Sequence, residues 1–543
     1  MKTPIQPPTP AERSHAQAEL KRLVDSEAAG PATKHPPQKP VILDAQRRIS
    51  NEEEVDKGFT ALNALREANR CIQCKSRACQ KGKVIENEII GGCPVGLRIP
   101  EFIDAFRRGD IHMAYCILMV DNPLHRITAR VCPQDEQCQA TCTLSKSSGP
   151  ISIGLLERIV GDLYEKLYGN EWCDDIQAAP VEKDFPIAIV GSGPASLTVA
   201  IFLARRGYRR IYMFEAFHLP AGVLRYGIPG FRLPRKVVNE VVAYVQSLGV
   251  RIITDVVIGR TLTVSDLKHM GFKAVFLGTG AGLPIFMKIP GEELNGVISA
   301  NEFLTRCNLM SAADKRYDTP IQIGRKVVVV GGGNVAMDAA RWARRLGAQE
   351  HGAEASEVIL VYRRTRDDMP ARSEEITHAE EEGIKFMFLT NPLAFLEGAD
   401  KGWVEQVRCQ KMAIGTEKDK DGRNRIQPIE GEFLVIDHVD TVIEALGTRP
   451  NTLLTQQNKM LEQDAGRVIV KDGSTGATSL EGVFAGGDAA RGGATVILAM
   501  GDGKKAAAGI DDYLKGLPED AGKVIVDQRL QKIDEWFTIK ENR

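Results

Sequence analysis

Residues 185–207 read FPIAIVGSGPASLTVAIFLARRG, an apolar run broken by a glycine turn and then resumed. Apolar strand, glycine turn and apolar helix together open a βαβ nucleotide-binding unit. Glycine lets the backbone approach a pyrophosphate, and the helix N-terminus then meets its negative charge. Gly191 and Gly193 stand at the first two fingerprint positions, and Ser196 replaces the third glycine. That replacement predicts a slightly looser strand–helix contact. The next strand, RIYMFEAF, carries Glu215 at the distance where such a fold hydrogen-bonds a ribose hydroxyl.

A second copy of the pattern follows at 326–347, KVVVVGGGNVAMDAARWARRLG, with Gly331, Gly333 and then Ala336. Asp338 lies on its helix. Here the next strand, EVILVYRRTR, ends in Arg363 and Arg364 rather than an acid. Guanidinium forks suit a 2'-phosphate, so this turn is expected to prefer NADP to NAD; the alternative is a solvated basic loop. A third element, GVFAGGDAARGGATVILAMGDGKKAAAGI at 482–510, reads strand, turn and helix around Asp488. Two nucleotide folds suggest a flavin and a nicotinamide, with Asp488 on the ribityl chain of FAD. Because this element follows the second fold, the FAD domain is split and the NADPH domain is inserted in it.

Toward the N-terminus the chain changes character. Of eleven cysteines, eight (71, 74, 79, 93, 116, 132, 138 and 142) fall between residues 71 and 142, beginning with CIQCKSRAC. In a reducing cytoplasm such a cluster binds metal more often than it forms disulfides. Zinc and iron–sulfur clusters both accept thiolate sets. A neighbouring flavin favours iron–sulfur, because zinc has no redox chemistry. Seven cysteines make one set of four and leave three. The fourth ligand of the second set is then sought elsewhere, and Glu157 is the candidate. It flanks the apolar stripe Leu156, Ile159, Val160, Leu163 and Leu167 of a helix; spacing alone favours an exposed glutamate. Cys116, Cys173, Cys307 and Cys409 read as ordinary thiols.

A chain of 543 residues predicts three or four domains. The formal net charge of −1 argues against a nucleic-acid partner. No run of 18 apolar residues suggests a membrane span, and the first residues lack the apolar core of a signal peptide, so a cytoplasmic location is expected. The fold class is α/β. The expected order is a flexible Pro-rich arm (1–45), a helical iron–sulfur domain (46–180), the first segment of the FAD domain (181–300), an NADPH domain (301–449), and the second segment of the FAD domain with a C-terminal tail (450–543). A disulfide reductase needs a close cysteine pair beside the flavin, and here Cys307 and Cys409 are isolated. A zinc-dependent assembly module is the rival from another class.

The ordered motifs EANRCIQC, CPVGLRIPEFI, RVCPQDEQCQATCTL, ISIGLLER, VLRYGIPGFRLPR, VVVVGGGNVAMDAAR, VYRRTRDDMPARSEE and GVFAGGDAARGGATVILAMGDGKKAA cover nearly all of residues 50–515. In them the chain resembles the glutamate synthase small-subunit family, which includes the N-terminal half of dihydropyrimidine dehydrogenase. Within it, SANEFLTRCNLM and ATVILAMGDGKKAA look most like the large subunit of NADH-dependent ferredoxin:NADP oxidoreductase, a flavin-based electron-bifurcating enzyme.

The resemblance implies one [4Fe–4S] cluster on Cys71, Cys74, Cys79 and Cys132, and a second on Cys93, Cys138, Cys142 and Glu157. It implies FAD held by Gly191, Ser192, Gly193, Pro194, Ala195, Glu215, Gly222, Leu224, Arg225, Arg232, Val257, Gly280, Gly487, Asp488, Thr495 and Val496. NADP(H) would meet Gly332, Gly333, Asn334, Val335, Asp338, Arg363, Arg364, Arg372 and Gly447. No acid–base side chain is required. The implied partner is a second redox subunit in a heteromeric complex, with ferredoxin or a glutamate-forming large subunit as acceptor. The chain departs from the family in the thirteen residues between Cys79 and Cys93, in Ala221 where a glycine is usual, and in a longer N-terminal arm.

Overall fold

In the computed structural model Ile187–Val190 is the central strand of a five-stranded parallel sheet. Its order is Val483–Ala485, Ala274–Leu277, Ile187–Val190, Ile211–Phe214, Arg251–Ile253. All four residues of the central strand are buried, as a strand covered on both faces requires. Lys326–Val330 takes the same central place in a second parallel sheet, ordered Val297–Ser299, Thr441–Glu444, Lys326–Val330, Glu357–Val361, Lys385–Met387. In both sheets chain order reverses beside the glycine-turn strand, which is where α/β sheets open a crevice. The structure describes residues 9–27, 35–85, 88–169, 183–418, 424–518 and 532.

The last strand of the first sheet, Val483–Ala485, comes from beyond the second sheet in the chain. The chain crosses between the domains at Leu283–Pro284, which pairs antiparallel with Thr448–Arg449. Val297–Ser299 already belongs to the inserted sheet. The insertion therefore begins near this crossing rather than at residue 301, because the strand that opens it precedes the first helical signal of that domain. One face of the inserted sheet packs on the Asn334–His351 helix; the other packs on an antiparallel sheet of Thr390–Glu397, Val404–Lys418 and Asn424–Asp437.

The N-terminal domain is helical. Thr60 caps Ala61–Asn69 by accepting from the Asn63 amide, and Asp110 caps Ile111–Asp121 through the Met113 amide. The Ile153–Tyr168 helix crosses both. Its core runs without a break into the FAD-type domain, from Phe102 and Leu156 to Leu197 and Ile510. Arg70, fully buried beside Cys71, pairs with Glu67 and donates to the carbonyls of Ser148 and Gly149, both at 2.7 Å. That ties the cysteine-rich segment to the start of the long helix.

Some of the expected flexible arm is ordered. Pro10–Glu27 is a helix that buries Leu20 and lays Ala16, Leu23 and Val24 on the core. The prolines lie outside it or at its first position, where a missing N–H costs nothing. Among the described residues no helix is long and apolar enough to cross a membrane. Cys116 is disulfide-bonded rather than an ordinary thiol, Cys307 and Cys409 are free and buried, and Cys173 lies outside the described residues.

Candidate functional site

The two glycine turns repeat one geometry. Gly191 has φ +89, and an added Cβ would lie 2.4 Å from the Gly278 carbonyl oxygen. Gly331 has φ +145, and its added Cβ would lie 2.4 Å from the Ala445 carbonyl oxygen. Each first glycine lets its strand end pass the neighbouring strand end. The next glycines have a different role. Gly193 has no neighbour within 4 Å of an added Cβ, and Gly333 has only Pro370 at 3.9 Å. Their open backbone faces the cleft, which is the space a dinucleotide backbone needs.

One cleft takes in both turns. It brings together Gly191, Ser192, Gly193, Pro194, Ala195, Glu215, Gly222, Arg232, Val257, Gly280, Gly487, Asp488, Thr495 and Val496 with Gly332, Gly333, Asn334, Val335, Asp338, Arg363, Arg364 and Gly447. The helices Pro194–Arg205 and Asn334–His351 both start at it, so two helix N-termini meet there.

Glu215 ends its strand and is buried. Its carboxylate accepts from the Ser192 amide at 3.0 Å, the Phe217 amide at 2.9 Å and the Ser192 hydroxyl. Gly222 approaches so closely that an added Cβ would lie 2.9 Å from Gly193 Cα. Ala221 before it is buried with φ +98, and its amide donates to Ser192 Oγ at 2.8 Å. The replaced glycine thus costs backbone strain. Ser196 does not loosen its contact, because Gly278 opposite leaves room for the hydroxyl. Asp488 is raised to about 6 by burial and by Asp502, against the Ala494 amide and Arg491.

Four residues expected at the cofactors direct their side chains to protein partners. Arg232 reaches the cleft wall, but its guanidinium donates to both Asp338 oxygens at 2.8 and 2.7 Å. Its Nε also lies 2.9 Å from Glu375 Oε1, an ion pair without hydrogen-bond alignment. Leu224 is fully buried in the core. Arg225 turns away to the Pro220 carbonyl and Asn239. Arg372 donates to the Arg130 carbonyl and pairs with Glu374, joining the inserted domain to the helical one. Motif matching gives each residue a place in the chain and not the direction of its side chain. It also passes over Tyr226 and Tyr362, which lie within quoted motifs, and Asn451, which lies in none; all three line the cleft.

The seven cysteines and Glu157 form two adjacent sets. Cys71, Cys74, Cys79 and Cys142 line one small apolar cavity. Cys93, Cys132, Cys138 and Glu157 lie within electrostatic reach of one another. Cys142 and Cys132 therefore exchange places relative to the implied ligand sets. The cause is local: Cys142 follows the turn that returns to Cys79, where Thr141 Oγ1 donates to the Ala78 carbonyl at 2.8 Å. Cys132 instead ends the His125–Val131 helix, which packs on the helix carrying Glu157.

Glu157 is buried, not exposed. Its Oε1 accepts from Asn122 at 2.7 Å and Thr128 at 2.9 Å, while burial raises its pKa to about 8 despite those bonds. Burial also raises Cys79 to about 12 and Cys93 to about 11. For Cys74 burial is outweighed by hydrogen bonds from Thr143 and Ser76, and its pKa is lowered. Donors such as Cys79, Cys93 and Glu157, which ionise with difficulty alone, suit a cationic iron core. Among the described residues no three such side chains converge on a single metal ion.

Residues 185–503 match the pyridine nucleotide-disulphide oxidoreductase model, and residues 48–167 match dihydropyrimidine dehydrogenase domain II, 4Fe-4S cluster. The glutamate synthase [NADPH] small chain of Azospirillum brasilense is 33% identical over 484 residues, 88% of this chain and 94% of the relative. The chain belongs to the glutamate synthase small-chain family. It is an oxidoreductase with FAD- and NAD(P)-binding domains and a 4Fe-4S domain. The NADP(+)-dependent formate dehydrogenase subunit beta of Moorella thermoacetica is 36% identical, covering 78% of this chain and 59% of that one. The relatives give the expectation of electron bifurcation no support. Mycobacterium tuberculosis FprA in complex with NADPH has a TM-score of 0.51 at 20% identity, over 66% of this chain and 91% of that one, and shares the fold alone.

Proposed function

We propose that the chain is the NADPH-oxidising electron-transfer subunit of a heteromeric complex, with FAD at the Gly191 turn, NADP(H) at the Gly331 turn and two [4Fe–4S] clusters. One observation carries the reading: both turns open on a single cleft whose wall includes Val131 and Pro133, the neighbours of Cys132. Bound flavin converts a hydride's electron pair into single electrons that iron–sulfur clusters can carry.

The protein's own contribution is positioning. Gly193 and Gly333 leave backbone clearance for two dinucleotides, and Arg363 and Arg364 stand where a 2'-phosphate is read. The Glu157 set lies beside the cleft. The all-cysteine set adjoins it through Cys79 and Cys138, and extends to half-exposed Cys74. That order supports electron exit from the cysteine-rich end to a second redox subunit. A carboxylate ligand would give the nearer cluster a different potential from the farther one.

The test is compositional and catalytic together. Purified holoprotein should release FAD on acid extraction, contain about eight irons per chain and reduce a dye with NADPH. FMN alone, or zinc in place of iron, overturns the reading.

A further inference from the structure

The thirteen residues between Cys79 and Cys93 make a surface that the cofactor chemistry does not use. Lys83–Ile85 and Glu88–Ile90 pair as a two-stranded antiparallel hairpin, and no further strand joins either edge among the described residues. Val84 and Ile89 face each other across it and are 73% and 71% exposed; Ile85 and Ile90 are 51% and 48% exposed. A lone hairpin this short is marginal in water, and an uncovered aliphatic pair beside an open edge invites pairing; Ile85 and Ile90 lie on its other face, opposite Glu88 and Lys83.

Its base is nevertheless fixed. Gly82, Gly91 and Gly92 have φ of +77, +67 and +78, and an added Cβ on Gly92 would lie 2.3 Å from the Gly82 nitrogen. One on Gly91 would lie 2.4 Å from Thr141 Cγ2. Gly92 N–H donates to the Gln137 carbonyl at 3.2 Å, and Cys93 N–H to the Gln80 carbonyl at 3.0 Å. The stalk is therefore clamped to the segment that carries Cys138 and leads to Cys142. It stands beside ligands of both sets. The stretch QKGKVIENEIIGG carries two lysines, Lys81 and Lys83, and two glutamates, Glu86 and Glu88, so its charge is balanced. Ile72, between two cysteines of the first set, is also exposed.

We propose that this hairpin is the docking element for a partner subunit that presents an apolar patch and carries its own one-electron centre. The exposed Val84–Ile89 pair forms the centre of the contact, and the balanced charges around it form a polar rim. The position follows the exit end of the two sets, and the inference rests on the electron-transfer reading above. The fixed base gives it a purpose beyond pairing: it holds the partner at one place relative to the all-cysteine set.

The test uses the tagged full-length holoprotein in its native cell. A photo-cross-linking p-benzoylphenylalanine replaces Val84 or Ile89, with exposed Ser474 as the control position. Expected is a light-dependent cross-link from 84 and 89, but not 474, to a companion that contains iron or flavin. A cross-link only to a second copy of this chain, or none above the control, overturns the inference. In parallel, Val84→Ser, Ile85→Ser, Ile89→Ser and Ile90→Ser are combined. The companion's affinity should fall at least about 100-fold with iron content and NADPH–dye activity unchanged. Unchanged affinity, or loss of iron alongside it, overturns the inference. Wild-type protein inactive with NADPH and dye would instead sink the electron-transfer reading.

Discussion

Replacing Arg232 by methionine separates a structural arginine from a flavin-binding one. The native guanidinium joins the two nucleotide domains: it makes two hydrogen bonds to Asp338 and an ion pair to Glu375, and all three groups are buried. Removing one member of a buried charged set costs about 3–5 kcal/mol, because the remaining charges lose their partner. Glu375 keeps Arg341 at 2.5 Å, so the lower end, about 3 kcal/mol, applies. At about 2–4 °C per kcal/mol for domains of this size, Tm should fall by roughly 6–12 °C. Thermal unfolding of the holoprotein at neutral pH, followed by circular dichroism and by flavin release, reads both quantities. Arg232→Met with Asp338→Asn should recover some of the loss, since the amide needs no counter-charge. A Tm unchanged within about 2 °C, combined with much weaker FAD binding, would refute the reasoning and return Arg232 to the flavin.

Arg363→Ala with Arg364→Ala should lower kcat/KM for NADPH by about 150-fold and change NADH less than about threefold. The estimate takes about 1.5 kcal/mol per charged bond, because Arg363 is exposed and Arg364 is shared with the Asn424 carbonyl; equal losses would show that neither reads a phosphate. Cys142→Ser should perturb the same EPR signal as Cys71→Ser, and Cys132→Ser the same signal as Glu157→Ala; the opposite pairing would restore the ligand sets implied by resemblance. Acid should weaken the inserted domain. Burial acting alone would raise Glu375 and Glu382, yet Arg232 and Arg341 hold Glu375, and Arg341 and Arg345 hold Glu382, at about 2. A depressed folded pKa gives stability that is complete above the ordinary value near 4.5 and is lost as pH falls toward 2. Denaturant midpoints should therefore drop steeply between about pH 4.5 and 2.5; a flat profile there would discount these pairs.

Much of the architecture could be read from short-range pattern. The two glycine turns needed only an apolar run and its break, and Gly191 and Gly331 then occupied matching places in matching sheets. Other features depended on groups far apart in sequence. Nothing near Arg232 announces Asp338 and Glu375, which are more than a hundred residues away. The grouping of the cysteines depended on how the chain returns after Cys138, which spacing does not encode. Glu157 looked like a surface residue by helical position, because the wall covering it comes from Asn122 and Thr128 in another region of the helical domain. The Pro10–Glu27 helix escaped notice because most of its residues face solvent and only a narrow stripe is covered.

The Val496–Lys515 helix starts at Thr495 in the cleft and runs past the second cysteine set. Gln137 reaches the Thr495 hydroxyl at 3.4 Å, Gly501 packs against Pro94, and Lys504 donates to the Val95 carbonyl at 2.9 Å. One rigid rod thus sets the spacing between the flavin side of the cleft and the Glu157 set. The inserted domain is attached otherwise: by a neck of two short strands, by the Arg232 clasp, and by Arg372 and Arg48 at the helical domain. The consequence, on the proposed reading, is a separation of tasks: the rod would fix the distance over which electrons pass, while the contacts that hold the inserted domain would fix the distance between nicotinamide and flavin, so changes at the one would leave the other unaltered.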